Sequence, residues 1–223
     1  MSLPTHCGMP PLLQNIEGLR LHAILLNTLI PEPEIPDTQR KWRSWLVHCL
    51  VKAARHYDQA RELIIAQLKE EELAKSEVGR ERPLHIINFP FEIEDCITSL
   101  AKLVLCINAL ENNGDIQHTN ISGLKREAIS LNEFRNQQEH MHGQIASGQT
   151  GNGPIFACLT DDSDGFRFRK LEMPFSVVYQ LIDAAYRDIS RLFPRFNQES
   201  VPTRKGAPRF SLSAEVIFKE GTT

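Results

Sequence analysis

The segment Phe134-Arg135-Asn136-Gln137-Gln138-Glu139-His140 sets an arginine, an amide and a histidine within six consecutive positions, Arg135 to His140. A guanidinium binds a phosphate through a planar two-pronged fork. An imidazole is the side chain whose ordinary pKa lies closest to neutral, so it both takes and gives protons there. Together they are the minimum kit for cutting RNA without a metal ion.

These residues need a helix to position them. The pattern predicts one from near Asn120 to about His142, with Gly143 close to its end. At about 100° per residue, Leu124, Ala128, Leu131, Phe134, Met141 and Ile145 share the side that packs on a bundle. Arg135 falls inside that arc, about 20° from Leu124, although arginine is seldom buried without a partner. Asn132, Asn136 and His140 recur at intervals of four and form one polar column beside it. Arg135 and His140 stand about 140° apart, a separation that the long arginine can reach around. An arginine in an apolar arc beside an amide column implies a covered but wet surface, and a homodimer across this helix is expected. The plainer reading is a surface ion pair between Arg135 and Glu139, with His140 ending the helix as a cation favoured by the dipole.

Other elements follow from periodicity. A first helix is expected over Leu12–Leu29, then a stiff connector, Pro31 to Pro36. Asp37-Thr38 suits the start of a long second helix to about Lys75. Its apolar stripe includes Trp42, Trp45, Leu46, Cys49, Leu50, Ala53, Ala60 and Ile64, with both tryptophans expected as core anchors. A third helix is expected over Phe91–Glu111, with Pro90 in its first turn and Asn113-Gly114 at its end. After a Gly/Ser/Gln-rich loop from Ser147 to Gly153, two short alternating runs, Ile155–Leu159 and Phe166–Leu171, flank Asp161-Asp162-Ser163-Asp164-Gly165. That spacing predicts a β-hairpin. Pro174 opens a fifth helix, closed by Pro194. The expected fold is therefore all-α, a four- to five-helix bundle with a short hairpin before the last helix. Its parts are a flexible arm over 1–10, the bundle over 11–196 and a tail over 197–223.

The arginine-asparagine pair followed by a histidine, on the fourth helix of such a bundle, resembles the signature of HEPN domains, small all-helical bundles many of which are ribonucleases. By architecture the resemblance extends from Leu12 to Phe193. It implies a dimer in which two copies of the motif line one cleft for RNA. Arg135 would hold the scissile phosphate, His140 would serve as general base or acid while the ribose 2′-hydroxyl attacks, and Asn136 would orient either. The implied products are a cyclic phosphate and a 5′-hydroxyl. Lys125 and Arg126 are the basic residues near the motif, and with Asn132 they are the expected RNA-binding side chains. A toxin or defence effector, held in check by a protein antitoxin or inhibitor, is the corresponding biological expectation. The alternative is the same bundle as a non-catalytic nucleotide- or protein-binding module.

Composition sets limits. The net charge of -3 over 223 residues leaves no general basic face for duplex DNA. Five cysteines without a CxxC pair, and a first ten residues unlike a secretory signal, lead to an expectation of reduced thiols in a cytoplasmic protein. No apolar run reaches the roughly 20 residues of a membrane span. No metal or cofactor is expected. His140 and His142 lie two apart on a helix and point in nearly opposite directions. The aspartates at 161, 162 and 164 resemble a calcium loop without its downstream glutamate, and a turn explains them. Gly148–Gly153 lacks the lysine of a phosphate loop and precedes a strand. His48 and His56 are expected in core or surface roles.

Overall fold

The computed structural model describes residues 3–25, 27, 35–76, 83–113, 116, 119–150, 155–193 and 196. They are mainly helical, with one small antiparallel sheet. In chain order they form α1 (Ile16–Ile24), α2 (Asp37–Ser76), a 3-10 turn (His85–Asn88), α3 (Phe89–Asn112), a second 3-10 turn (Ile121–Leu124), α4 (Lys125–Glu139) and α5 (Met141–Ala146). Strands β1 (Cys158–Leu159), β2 (Gly165–Phe168) and β3 (Leu171–Pro174) follow, then α6 (Phe175–Ser190). The expected tail over 197–223, Pro194, Gly114, and the loop positions 31–34, 77–82 and 151–154 lie outside the described residues. No helix among the described residues is long and apolar enough to cross a membrane.

The spine is α2 packed on α3. Leu46, Cys49, Leu50, Ala53, Tyr57, Ala60 and Ile64 recur every three or four residues on α2 and are buried. They meet Ile93, Ile97, Leu100, Val104 and Ile107 of α3, also buried. His56 contacts Glu92 near the start of α3, whereas Trp45 hydrogen-bonds Cys106 near its end, so the two helices run antiparallel. Helix α1 lies on α2, and α6 lies against α2, α3 and α4.

Several expectations need correction. The first helix begins at Ile16, where the Asn15 side chain accepts the Gly18 N–H at 3.0 Å; Leu13, outside it, is 72% exposed. Trp42 and Trp45 are exposed, and the stripe that enters the core starts at Leu46, the residue after Trp45. The arm is not loose over residues 3–10. Met9 is buried, its carbonyl accepts Arg61 Nε at 3.0 Å, and the Tyr57 hydroxyl donates to the Pro10 carbonyl at 3.0 Å. The Thr5 N–H donates to Ser163 Oγ, and a Cβ on Gly8 would stand 2.4 Å from the Ser163 carbonyl oxygen.

The hairpin gains a third strand. Phe166 pairs with Leu159 on one side and Met173 on the other. Strands β2 and β3 are joined through Arg169-Lys170, with Arg169 at φ 57°. That two-residue connection carries no glycine or asparagine, the usual marks of such a turn. The helix expected over Asn120–His142 is also divided: a 3-10 turn precedes α4, and His140 (φ −93°, ψ 2°) separates α4 from α5. The Gln144 N–H still donates to the His140 carbonyl at 3.2 Å, so the break is one residue wide.

A buried carboxylate holds the 3-10 turn that leads into α4. Asp188 on α6 accepts the Asn120 N–H at 2.7 Å, the Asn120 side-chain amide at 2.6 Å and the Ile121 N–H at 3.0 Å. Two of the three are backbone donors of the kind that the start of a helical segment leaves open. Asp188→Ala should therefore cost about 3 kcal/mol, since it orphans buried donors. The unfolding midpoint should fall by roughly 6–12 °C for a chain of this size. Asp188→Asn, which keeps one acceptor, should lose less. Calorimetry of both variants checks this, and an unchanged midpoint in Asp188→Ala would remove the carboxylate from this role.

Candidate active site

Helix α4 carries the motif, and three contacts hold it. The 3-10 turn that leads into it is held by Asp188. Its middle is anchored by Phe134, fully buried, whose ring lies 5.1 Å from Phe166 edge-on and 5.0 Å from Phe168. Its end is tied to α3 through Gln138, which hydrogen-bonds Glu94 and accepts from the Thr98 hydroxyl at 3.5 Å. Glu94 also accepts the Ala157 N–H at 2.7 Å, so one carboxylate joins α3, α4 and the approach to β1.

The predicted site residues fall into different environments. Arg135 is partly buried, its side chain 24% exposed, and its guanidinium runs along the helix to Glu139. Nε and Nη2 stand 2.9 and 2.7 Å from the same carboxylate oxygen. The arginine in the apolar arc is thus explained by the four-residue pair. His140 is exposed at the α4–α5 junction, and Asn136 is exposed one turn before it. Asn132 departs from the expected column: it is half-buried, and its Oδ1 is sealed from solvent with no hydrogen-bond partner among the described residues. Arg126 is exposed, and Lys125 opens α4. Position along α4 therefore brings Arg135, Glu139 and His140 to one helix end, with Asn132 at the middle and Lys125 and Arg126 at the other end.

Sequence reasoning missed a second cation. Arg169, at the β2–β3 turn, hydrogen-bonds the Gln144 side chain and donates to the Gln149 carbonyl at 2.8 Å. Gln144 is one turn beyond His140, so Arg169 brings a guanidinium to the helix that follows the motif. Nothing in the local sequence marks it, since the contact depends on a turn without a turn signal. Glu94 was equally hidden among helical carboxylates.

Chemically, this arrangement offers a guanidinium with one carboxylate partner, a solvent-open imidazole, and a neighbouring amide. Among the described residues no three His, Cys, Asp or Glu side chains converge as metal ligands. The aspartates of the β1–β2 connection form a turn, with Asp162 Oδ1 accepting the Asp164 N–H at 3.1 Å. His56 pairs with Glu92 at 2.7 Å and His48 stacks on Trp45, both surface roles. No family model, curated protein or solved structure matches the chain.

Burial pushes the Glu94 carboxyl above its ordinary range, and the Ala157 N–H and Gln138 amide only partly offset it. A carboxyl raised on folding is held best when protonated. Its contribution is complete at low pH and is lost as pH rises through the folded value. Glu94→Gln, which still accepts the Ala157 N–H, should therefore be no less stable than the parent at neutral pH. The parent should gain relative to it as pH falls toward the ordinary glutamate range. Glu94→Ala should lose about 1–3 kcal/mol, the cost of an orphaned buried donor. Denaturant unfolding of the three proteins across pH reads this, and parallel pH curves for parent and Glu94→Gln would contradict it.

Proposed function

We propose that this protein is a metal-independent endoribonuclease of the HEPN type. One observation carries the reading: the Arg135 guanidinium is drawn along α4 to Glu139, the residue beside His140, while His140 itself stands open to solvent. Arg135 would exchange the Glu139 carboxylate for the scissile phosphate, since both accept from the same fork. His140 would take the proton from the 2′-hydroxyl as that oxygen bonds to phosphorus. The bond from phosphorus to the 5′-oxygen breaks, and the His140 of a second copy returns a proton to that oxygen. The products are a cyclic phosphate and a 5′-hydroxyl. Arg135 would stabilise the charge that builds on the phosphoryl oxygens, and Asn136 would orient the imidazole or the phosphate. A toxin or defence role with an antitoxin partner belongs to the same proposal and rests on the resemblance alone.

The second reading, a non-catalytic nucleotide- or protein-binding module, draws on the same pair: Arg135 already has an ordinary surface partner in Glu139. Cleavage of total RNA in the presence of EDTA separates the two. His140→Ala and Arg135→Ala should each lose about 10²–10⁴ in rate, with helical content unchanged, and Asn136→Ala should lose less. Glu139→Gln, which releases Arg135, should keep its activity. Cleavage that needs magnesium, or that persists in both alanine variants, would favour the binding module.

Pairing two motifs requires a dimer across α4. Its support is the outward side of that helix, where Ile129 is 59% exposed between Arg126 and Glu133. Ile145 and Phe156 are exposed as well. Light scattering at micromolar concentration should give a dimeric mass, and Ile129→Glu should give a monomer that has also lost cleavage. A monomeric parent would end the shared-cleft mechanism.

A further inference from the structure

Helix α2 carries a second stripe, distinct from the one that enters the core. Lys41, Trp45, His48, Lys52, Arg55 and Gln59 recur every three or four residues and so lie on one side of the helix. With α1 they line a groove of about 940 Å³, and its apolar wall includes Ala23, Val47 and Val51. That volume is in the range of ligand-binding clefts. The site proposed above is elsewhere: α4 packs on α3, α6 and β3, whereas this groove is built from α1 and α2.

Charge and aromaticity in the groove oppose those of the chain as a whole. Five lining residues are cationic, Arg20, Arg40, Lys41, Lys52 and Arg55, against one carboxylate, Asp37. Glu17, just outside the lining, pairs with Arg20 at 2.6 Å and Arg55 at 2.8 Å. Asp37 pairs with Arg40 and Lys41, and Glu92 and Asp95 face His56 of the lining. Among the described residues the five cations thus exceed these four carboxylates by one positive charge, in a chain whose net charge is -3. Lys52 has no ion-pair partner among the described residues. Between the cations, Trp45 stacks on His48 with ring centroids 5.6 Å apart and planes at 21°, yet it remains 46% exposed.

We propose that this groove binds single-stranded nucleic acid. Lys41 and Arg55 are fourteen positions apart, about 21 Å along the helix, so the cations can follow several successive phosphates. The Trp45–His48 stack between them offers a flat platform that a base can extend. An acidic peptide would satisfy the cations but not the stack. A duplex would need a broad basic face rather than a concave groove. Binding here does not depend on cleavage at Arg135 and His140.

Trp42 and Trp45 are the two tryptophans of the chain, so Trp42→Phe leaves Trp45 as the sole emitter. In Trp42→Phe/His140→Ala protein, which guards RNA from the proposed cleavage, oligouridylate and oligothymidylate of about twelve nucleotides should both quench Trp45 emission saturably. Affinity should fall as salt rises, and Lys52→Glu should weaken it about tenfold or more while far-UV dichroism stays unchanged. Restoring His140 should leave oligothymidylate affinity as it was, so failure of the ribonuclease reading leaves this result intact. Absence of quenching with either strand would overturn the proposal. So would quenching that Lys52→Glu does not weaken, or an equal response to an oligoglutamate of the same charge.

Discussion

The position of α4 depends on a cluster of aromatic rings. Phe134 meets Phe166 and Phe168; Phe166 lies 6.0 Å from Phe175, and Phe175 lies 6.1 Å from Phe89, edge-on. All five are essentially sealed from solvent. They join α4, β2, the start of α6 and the start of α3. Three short strands have little stability of their own, and here the sheet exists because one of its faces is buried against helices. Without the Phe134 ring, the inner face of β2 and the neighbouring turn of α4 would both lose their cover.

That constraint explains how the motif segment can sit at a helix break and still be held in place. The chain around His140 departs from regular helix and is open to water. It is nevertheless located by contacts that do not involve it: Phe134 two turns before, Gln138 on Glu94 just before, and Gln144 on Arg169 just after. Asp188 holds the 3-10 turn that leads into the same helix. Side chains meant to act on a ligand are best placed on elements whose own positions are locked elsewhere, and α4 meets that condition. The same contacts would be needed by a purely structural helix, which is why the chemistry is a proposal and the positioning is not.

Much of the helical framework was legible in the sequence. The apolar periodicity of α2 and α3, Pro90 in the first turn of α3 and Pro174 directly before α6 follow from local rules and recur in the structure. What was hidden depends on partners distant in sequence. Trp42 and Trp45 fit the apolar stripe of α2 by spacing, but both remain exposed even though Trp45 reaches Cys106 of α3. Residues 3–10 read as a loose arm because nothing local shows that Met9, Pro10 and Thr5 find Arg61, Tyr57 and Ser163. Nothing local distinguishes Asp188 from other helical carboxylates, and its role depends on the 3-10 turn folded against it. For the candidate site, the pairing of Arg135 with Glu139 was visible as a four-residue interval, whereas Arg169 was not.

The two proposed sites differ in how their cations are held, and the difference bears on what each can do. Arg135 is matched one-to-one by Glu139, a partly exposed pair worth about 0–1 kcal/mol. Such a pair aims the guanidinium without locking it, so exchange for a phosphate would cost little, and little binding energy would be gained. A site of that kind cannot by itself hold a flexible strand. In the α1–α2 groove the cations exceed their carboxylates, and an exposed aromatic stack lies among them. Binding energy gained far from the reacting bond can be used to position it. On the proposed reading, the groove supplies attraction and the end of α4 supplies chemistry. Such a division would let an acidic chain engage an anionic polymer without a general basic surface.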